Sequence, residues 1–382
     1  MFTTLLIFIA VLGVLILAHE LGHFIVAKIC GMYVEEFGFG FPPRLFKIKI
    51  GETIYSINLF PIGGFVKIYG EEHKECEDND PKNDDETCPV LQTKNKKKLY
   101  EFPIWKRFLT IVAGVSMNFV LAWVLFSIVL GLGFPQEITA ENEKIAQDKK
   151  VVILQAMEDS PAEKAGLEIG DEILKFANLE IQTVLEFQDL SKLNAGKETQ
   201  IIIKRGDDIL GFSLTPRENP PENDGPVGIA LAHVGTVKYP IHQVVYKSLE
   251  ETILTTELIL RAFGDLLSGL IFHGKVSEGL SGPIGVAVFT KKVANVGFLA
   301  LMQFTALISI NLAIVNLLPI PALDGGQILF LLIEKILGKK HNHRTAAFIH
   351  KIGFVVLICL MVLVTFRDIV RFDVIGKIVG WL

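Results

Sequence analysis

The chain has 382 residues, half of them apolar, and a mean hydropathy of +0.44, a balance that excludes an ordinary soluble domain and points to a membrane protein. A formal net charge of −5, with no basic face or base-stacking platform, excludes a nucleic-acid partner. Cys30 and Cys359 lie at membrane segments and Cys76 and Cys88 in a connection, so no disulfide framework follows, and His73, Cys76 and Cys88 lack a further ligand for a second metal site.

In chain order, the first apolar run extends from Leu5 to Ile29 and contains His19-Glu20-Leu21-Gly22-His23. The H-x-x-x-H spacing turns both imidazoles to one helix face, where they can hold one Zn²⁺ while Glu20 reaches a bound water. Ionisable groups are costly in hydrocarbon, so such a cluster reads as functional before it reads as structural. At ~1.5 Å per residue, His19 lies about 20 Å from the start of the run. Phe108 to Leu132, Val296 to Leu318 and Phe348 to Phe366 are also near the ~20 residues a bilayer requires. Gln327 to Leu337 is too short to span alone and extends the third segment beyond a break.

No Lys or Arg precedes the first run, which reads as a retained span rather than a signal peptide. Lys28, Arg44, Lys47, Lys49, the lysines from Lys94 to Lys98, Lys106 and Arg107 flank the connection that follows it. Lys335, Lys339, Lys340, Arg344 and Lys351 flank the last one. The positive-inside rule then places both connections in the cytoplasm, with the amino terminus and residues 133–292 exported. The expected location is the inner (cytoplasmic) membrane, as a multi-pass protein in contact with the lipid bilayer.

The expected fold is a polytopic α-helical membrane protein of about four transmembrane helices, with a membrane-associated β-hairpin and an inserted α+β PDZ domain. Residues 1–30 form the first transmembrane helix. Within 31–70, Phe46, Ile48 and Ile50 alternate with lysines, Gly51-Glu52 turns the chain, and Thr53, Tyr55 and Ile57 resume the alternation. The hairpin continues to Lys67 and either dips into the membrane or lies on its cytoplasmic face. Residues 71–100 are acidic, then basic, and read as a disordered cytoplasmic insert. A second transmembrane helix covers 105–132. Residues 151–217 alternate short strands with helices opened by Ser160-Pro161-Ala162 and near Val184. Residues 160–174, Ser-Pro-Ala-Glu-Lys-Ala-Gly-Leu-Glu-Ile-Gly-Asp-Glu-Ile-Leu, resemble the signature of bacterial PDZ domains, which take an extended peptide onto a sheet edge. An amphipathic helix follows over 244–272. The third transmembrane segment, 293–337, carries the run from Asn316 to Gly326, and the fourth helix covers 348–367.

A catalytic zinc needs three protein ligands and one open position, and the first helix supplies two of them. In Asn316-Leu317-Leu318-Pro319-Ile320-Pro321-Ala322-Leu323-Asp324-Gly325-Gly326 the helix is interrupted where an intramembrane carboxylate, Asp324, appears and calls for a partner. The two histidines are the candidates.

H-E-L-G-H together with N-x-x-P-x-P-x-L-D-G-G is similar to the site-2 protease family of intramembrane zinc metalloproteases. The PDZ insertion narrows the resemblance to the bacterial regulator of sigma-E protease type, here with a single PDZ domain. Phe37-Gly38-Phe39-Gly40, the run from Phe60 to Lys67, Ala113-Gly114-Val115-Ser116-Met117-Asn118 and Ser281-Gly282-Pro283-Ile284-Gly285 match in order across nearly the whole chain. The resemblance implies His19, His23 and Asp324 as zinc ligands, Glu20 as general base and Asn316 as a holder of the substrate backbone. It also implies cleavage within transmembrane segments of single-span membrane proteins, such as anti-sigma factors or remnant signal peptides. The PDZ domain would meet a peptide or the exported domain of the substrate. The hairpin at 45–69 could offer a strand edge to the unwound substrate. The rival reading is a non-enzymatic metal carrier or a PDZ scaffold with an inactive site. Many relatives carry two tandem PDZ domains, whereas residues 218–243 are too few for a second.

Overall fold

A computed structural model describes residues 2–70, 96–157, 159–206, 208–221, 224–273, 282–338 and 343–371. The chain runs α1 (Phe2–Ile29), β1 (Val34–Ile50), β2 (Thr53–Ile68), α2 (Ile104–Leu132), β3 (Phe134–Glu137), β4 (Ala146–Ala156), α3 (Pro161–Ala165), β5 (Glu172–Phe176) and β6 (Leu179–Glu180). It continues through α4 (Val184–Leu193), β7 (Thr199–Arg205), β8 (Asp208–Leu214), β9 (Ile229–Val237), α5 (Ile241–His273), α6 (Pro283–Val296), α7 (Phe298–Leu317), α8 (Asp324–Leu337) and α9 (His343–Arg371). Two compact units divide it, Met1–Ser127 with Ser248–Leu382, and Ile128–Lys247. Most of the acidic insert, residues 71–95 with His73, Cys76 and Cys88, lies outside the described residues.

In the first unit, α1, α2, α7 and α9 are long and apolar enough to cross a membrane. Helices α2 and α7 share a core of Ala122, Phe126, Ala306, Ile310 and Ile314. Helix α1 meets α2 at close range because both lack side chains at the contact. A Cβ on Gly22 would run into the Ala113 carbonyl, and one on Gly114 would occupy the His23 ring. Arg107 of α2 donates bidentately to Glu334 of α8 at 3.1 and 2.6 Å, a nearly buried pair whose loss on one side would leave an uncompensated charge.

The hairpin turns at Gly51-Glu52, with Ile50 opposite Thr53. Its strands are long enough to be used twice. Residues 46–50 pair with 53–57, and residues 36–39 pair with both 54–57 and 64–67. Four short segments therefore lie side by side in the order 46–50, 53–57, 34–39, 64–68. Residues 53–57 are flanked on both sides, and among the described residues 46–50 and 64–68 are the outer segments.

The segment expected over 293–337 is three helices. Pro283 sits in the first turn of α6, after Gly282, a favoured helix start. Gly297, at φ +142°, separates α6 from α7. After α7, Pro319 and Pro321 exclude helix, and Gly325 and Gly326 let α8 begin tightly against the carbonyls of Leu317, Leu318 and Ile320.

The second unit is an α+β module, built from the stretch whose sequence resembles a PDZ domain. Its sheet runs β3-β9-β4-β5-β7-β8, with β6 on β5. Val151 and Ile153, Ile201 and Ile203, each pair alternating along its strand, join Ile173 and Phe176, which flank a register shift in β5, and Phe187 of α4 in the core. Ser160 caps α3 by accepting from the Glu163 N–H, Pro161 takes the first turn, and Gly166 ends the helix at φ +84°. Thr183 and Glu186 form a capping box at the start of α4. The sheet takes in more chain than 151–217, because β9 pairs along β4 from Ala146↔Val237 to Ala156↔Ile229 and β3 pairs with β9. The ends of the module meet: a Cβ on Gly133 would lie 3.3 Å from the Lys238 Cβ.

Candidate active site

His19 and His23 lie one helical turn apart on α1, and the break after α7 delivers Asp324 to them as the first residue of α8. His19 Nε2 and His23 Nε2 are 3.2 Å apart, and Asp324 Oδ2 lies 3.2 Å from the first and 3.4 Å from the second. Among the described residues these three are the group of metal-binding side chains that converges. Tetrahedral zinc with bonds of ~2.0–2.2 Å spaces its ligand atoms about 3.3–3.5 Å apart. The donor set therefore fits that ion in both kind and spacing. The electrostatics agree, because Asp324 Oδ2 is buried without a hydrogen-bond partner while two imidazole nitrogens point at it.

Helix α2 fixes both rings from behind. His23 Nδ1 donates to the Thr110 carbonyl at 2.8 Å, which leaves the lone pair on Nε2. With the His19 Nε2 turned to the same point, its proton sits on Nδ1, where the Asn118 amide meets it at 3.3 Å through Nδ2. Rotated about its terminal bond, that amide brings Oδ1, a buried oxygen otherwise without a partner, to accept the proton. Asn118 is itself held through its backbone carbonyl by the Ser309 hydroxyl of α7, at 2.8 Å. Among the sequence motifs Asn118 stands without an assigned role. The available signal was a carboxamide in an apolar span.

Glu20 lies next to His19 and faces the hairpin, where a Cβ on Gly64 would come within 2.8 Å of its Cγ. Of the hairpin expected over 45–69 to offer a strand edge, the outer segment 64–68 is thus the one beside Glu20, whereas 53–57 is flanked on both sides. Asn316 is half-buried in the last turn of α7, on the other side of the break from Asp324. No hydrogen bond among the described residues ties it to His19, His23 or Asp324.

Residues 7–360 match the family described as peptidase family M50. The regulator of sigma-W protease RasP of Bacillus subtilis is 31% identical over 431 aligned positions, covering 96% of this chain and 98% of that protein. The zinc metalloprotease RasP of Oceanobacillus iheyensis is 30% identical, covering 97% of this chain and 99% of that protein. Among solved structures, the PDZ domain of an SdrC-like protein from Listeria monocytogenes is 23% identical, covers 22% of this chain and 86% of that one, and has a TM-score of 0.20.

Proposed function

The chain belongs to peptidase family M50 and is an intramembrane zinc metalloprotease of the site-2 type, and from that premise we propose how its residues divide the work. His19, His23 and Asp324 hold the zinc, Glu20 is the general base, and Asn316 bonds the backbone of the substrate. The observation that carries this reading is the mutual approach of His19 Nε2, His23 Nε2 and Asp324 Oδ2 to 3.2–3.4 Å.

When bound, zinc supplies a Lewis acid that polarises the scissile carbonyl and brings the pKa of water toward ~7. Glu20 takes a proton from the attacking water and returns it to the leaving amine. A substrate helix keeps its carbonyls hydrogen-bonded, so a stretch of it must unwind before attack. The 64–68 edge receives that stretch as an added strand, and Asn316 bonds it from the other side. Both contacts satisfy polar groups that each cost several kcal/mol if left bare in lipid. A metal carrier or an inactive scaffold would have no need of Glu20 as a base beside the His19, His23 and Asp324 ligands.

The chain sits in the inner membrane with its amino terminus and PDZ module outside and the 30–104 connection in the cytoplasm, a reading supported by the lysine and arginine bias. His19 then lies in the cytoplasmic half of the bilayer, and cleavage falls near that side of the client. The clients are single-span proteins, anti-sigma factors or remnant signal peptides among them, whose exported parts meet the PDZ module. Glu20→Gln tests the mechanism: zinc content should stay at the wild-type level while cleavage of a co-expressed single-span client stops. Normal cleavage by that variant would overturn it.

A further inference from the structure

The turn that presents Asp324 is under backbone strain, and a side chain from α9 holds it. Ala322 has φ +81°, a conformation that costs any residue with a Cβ. Within the turn, the N–H groups of Ile320 and Leu323 donate to the carbonyls of Leu318 and Ile320. The Ala322 N–H instead donates to Nδ1 of His350, at 2.9 Å. That bond places the His350 proton on Nε2, and the ring packs 5.1 Å from the ring of Phe330 on α8. One turn along α9, Gly353 lets the helix close on Pro321, where a Cβ would collide with the Pro321 carbonyl. Helix α9 is otherwise largely exposed, so these contacts concentrate what it does for the site.

We propose that His350 is a positioning residue for the metal centre: by accepting the Ala322 N–H it holds the strained turn that sets Asp324 against His19 and His23. The proposal rests on Asp324 being a zinc ligand. Without the acceptor, Ala322 relaxes toward negative φ, and the carboxylate two residues on leaves its place opposite the imidazoles. Groups one shell out from a metal typically contribute 10–100-fold to its affinity.

The test uses the full-length protein in detergent, with cobalt in place of zinc, reading the visible spectrum and the affinity against a competing chelator. His350→Ala should bind metal roughly 10–100-fold more weakly, with an altered cobalt spectrum. His350→Asn, whose Oδ1 takes the place of Nδ1, should stay within about threefold of wild type. Ala322→Gly removes the strain, so His350→Ala/Ala322→Gly should recover most of the affinity and the wild-type spectrum. Wild-type affinity and spectrum in His350→Ala, or a double variant as weak as the single one, would overturn the proposal. If His350→Ala does not accumulate folded, His350→Gln, whose amide is one methylene too long, takes its place with the same expected loss and the same rescue. Asp324→Ala separates the two readings: if it retains wild-type metal affinity, the ligand assignment fails, whatever the His350 series shows.

Discussion

At the scale of single residues, the centre depends on what is missing as much as on what is present. Gly64 leaves room for Glu20, and Gly64→Ala would put a methyl 2.8 Å from the Glu20 Cγ and 2.9 Å from the Ile16 Cγ2. The Glu20 side chain, the proposed base, must then move. Because misplacement by ~1 Å costs on the order of 100-fold in rate, this variant should lose about 10–100-fold in kcat while its zinc stoichiometry, read by metal analysis, stays at the wild-type value. Asn118→Ala should act on the metal instead, with affinity roughly 10–100-fold lower in chelator competition because His19 loses its orienting partner. The convergence of His19, His23 and Asp324 was legible in the sequence, since metal chemistry dictates residue type and spacing and hydrocarbon makes such residues conspicuous. Thr110 and Asn118 were not, because they serve His23 and His19 across 87 and 99 residues of chain and carry no spacing signature.

At the scale of elements, local signals were good and lateral ones poor. The alternation around Gly51 gave the hairpin and its turn, Ser160-Pro161 marked the start of α3, and α4 begins at Val184, near where the sequence places it. Which hairpin segment is an edge depends on how β1 and β2 wrap on themselves, and alternation carries no trace of that. Proline scanned through 64–68 should slow cleavage about tenfold with zinc intact, through loss of main-chain donors, whereas proline through 46–50 should not. Equal effects at both edges, measured as initial cleavage rates, would remove the 64–68 edge from substrate holding. Helix α6 is hard to read from sequence because its start, Gly282-Pro283, lies inside a motif of the family and its length of 14 residues is too short to stand out as a span. In the PDZ module, β7 braces the turn before β5: Arg205 donates to both oxygens of Asp171 at 2.8 Å, and the Glu168 N–H donates at 2.8 Å. Burial raises the Asp171 carboxyl, but these donors outweigh it and hold the group below its ordinary value of 3.8. A depressed folded pKa contributes stability above the unfolded value and loses it as pH falls through the folded one. The module should therefore weaken progressively below about pH 4–5, and Asp171→Asn should flatten that decline while costing roughly 1–2 kcal/mol at pH 7, both read from urea unfolding at a series of pH values.

At the scale of the whole molecule, the count of spans and the inserted module were legible from hydropathy and the PDZ signature, because both are properties of long stretches. The extent of the module was not, since β9 completes the sheet from 73 residues or more beyond the β4 positions it pairs with. Gly133 and Lys238 lie side by side, so replacing 134–237 with a short Gly-Ser linker leaves the flanking helices joined at their own spacing. We propose that the module, in meeting the exported parts of clients, turns away those whose exported domains are bulky, so that deletion should keep zinc and the cleavage of clients already trimmed outside the membrane while admitting untrimmed ones. Continued rejection of untrimmed clients, followed by mass of the accumulated fragments, would sink the filter role. The contact of α1 with α2 at Gly22 and Gly114 bears on the lipid as well. Helices whose backbones meet at Gly22, with the His23 ring seated against Gly114, resist sliding or rolling, and a mismatch between span and bilayer thickness is taken up by tilt. A pair fastened in this way tilts as one body, and His19 and His23 keep their places against Asn118 and Thr110. Membrane thickness then shifts the level at which a client is cut and leaves the chemistry of the cut unchanged.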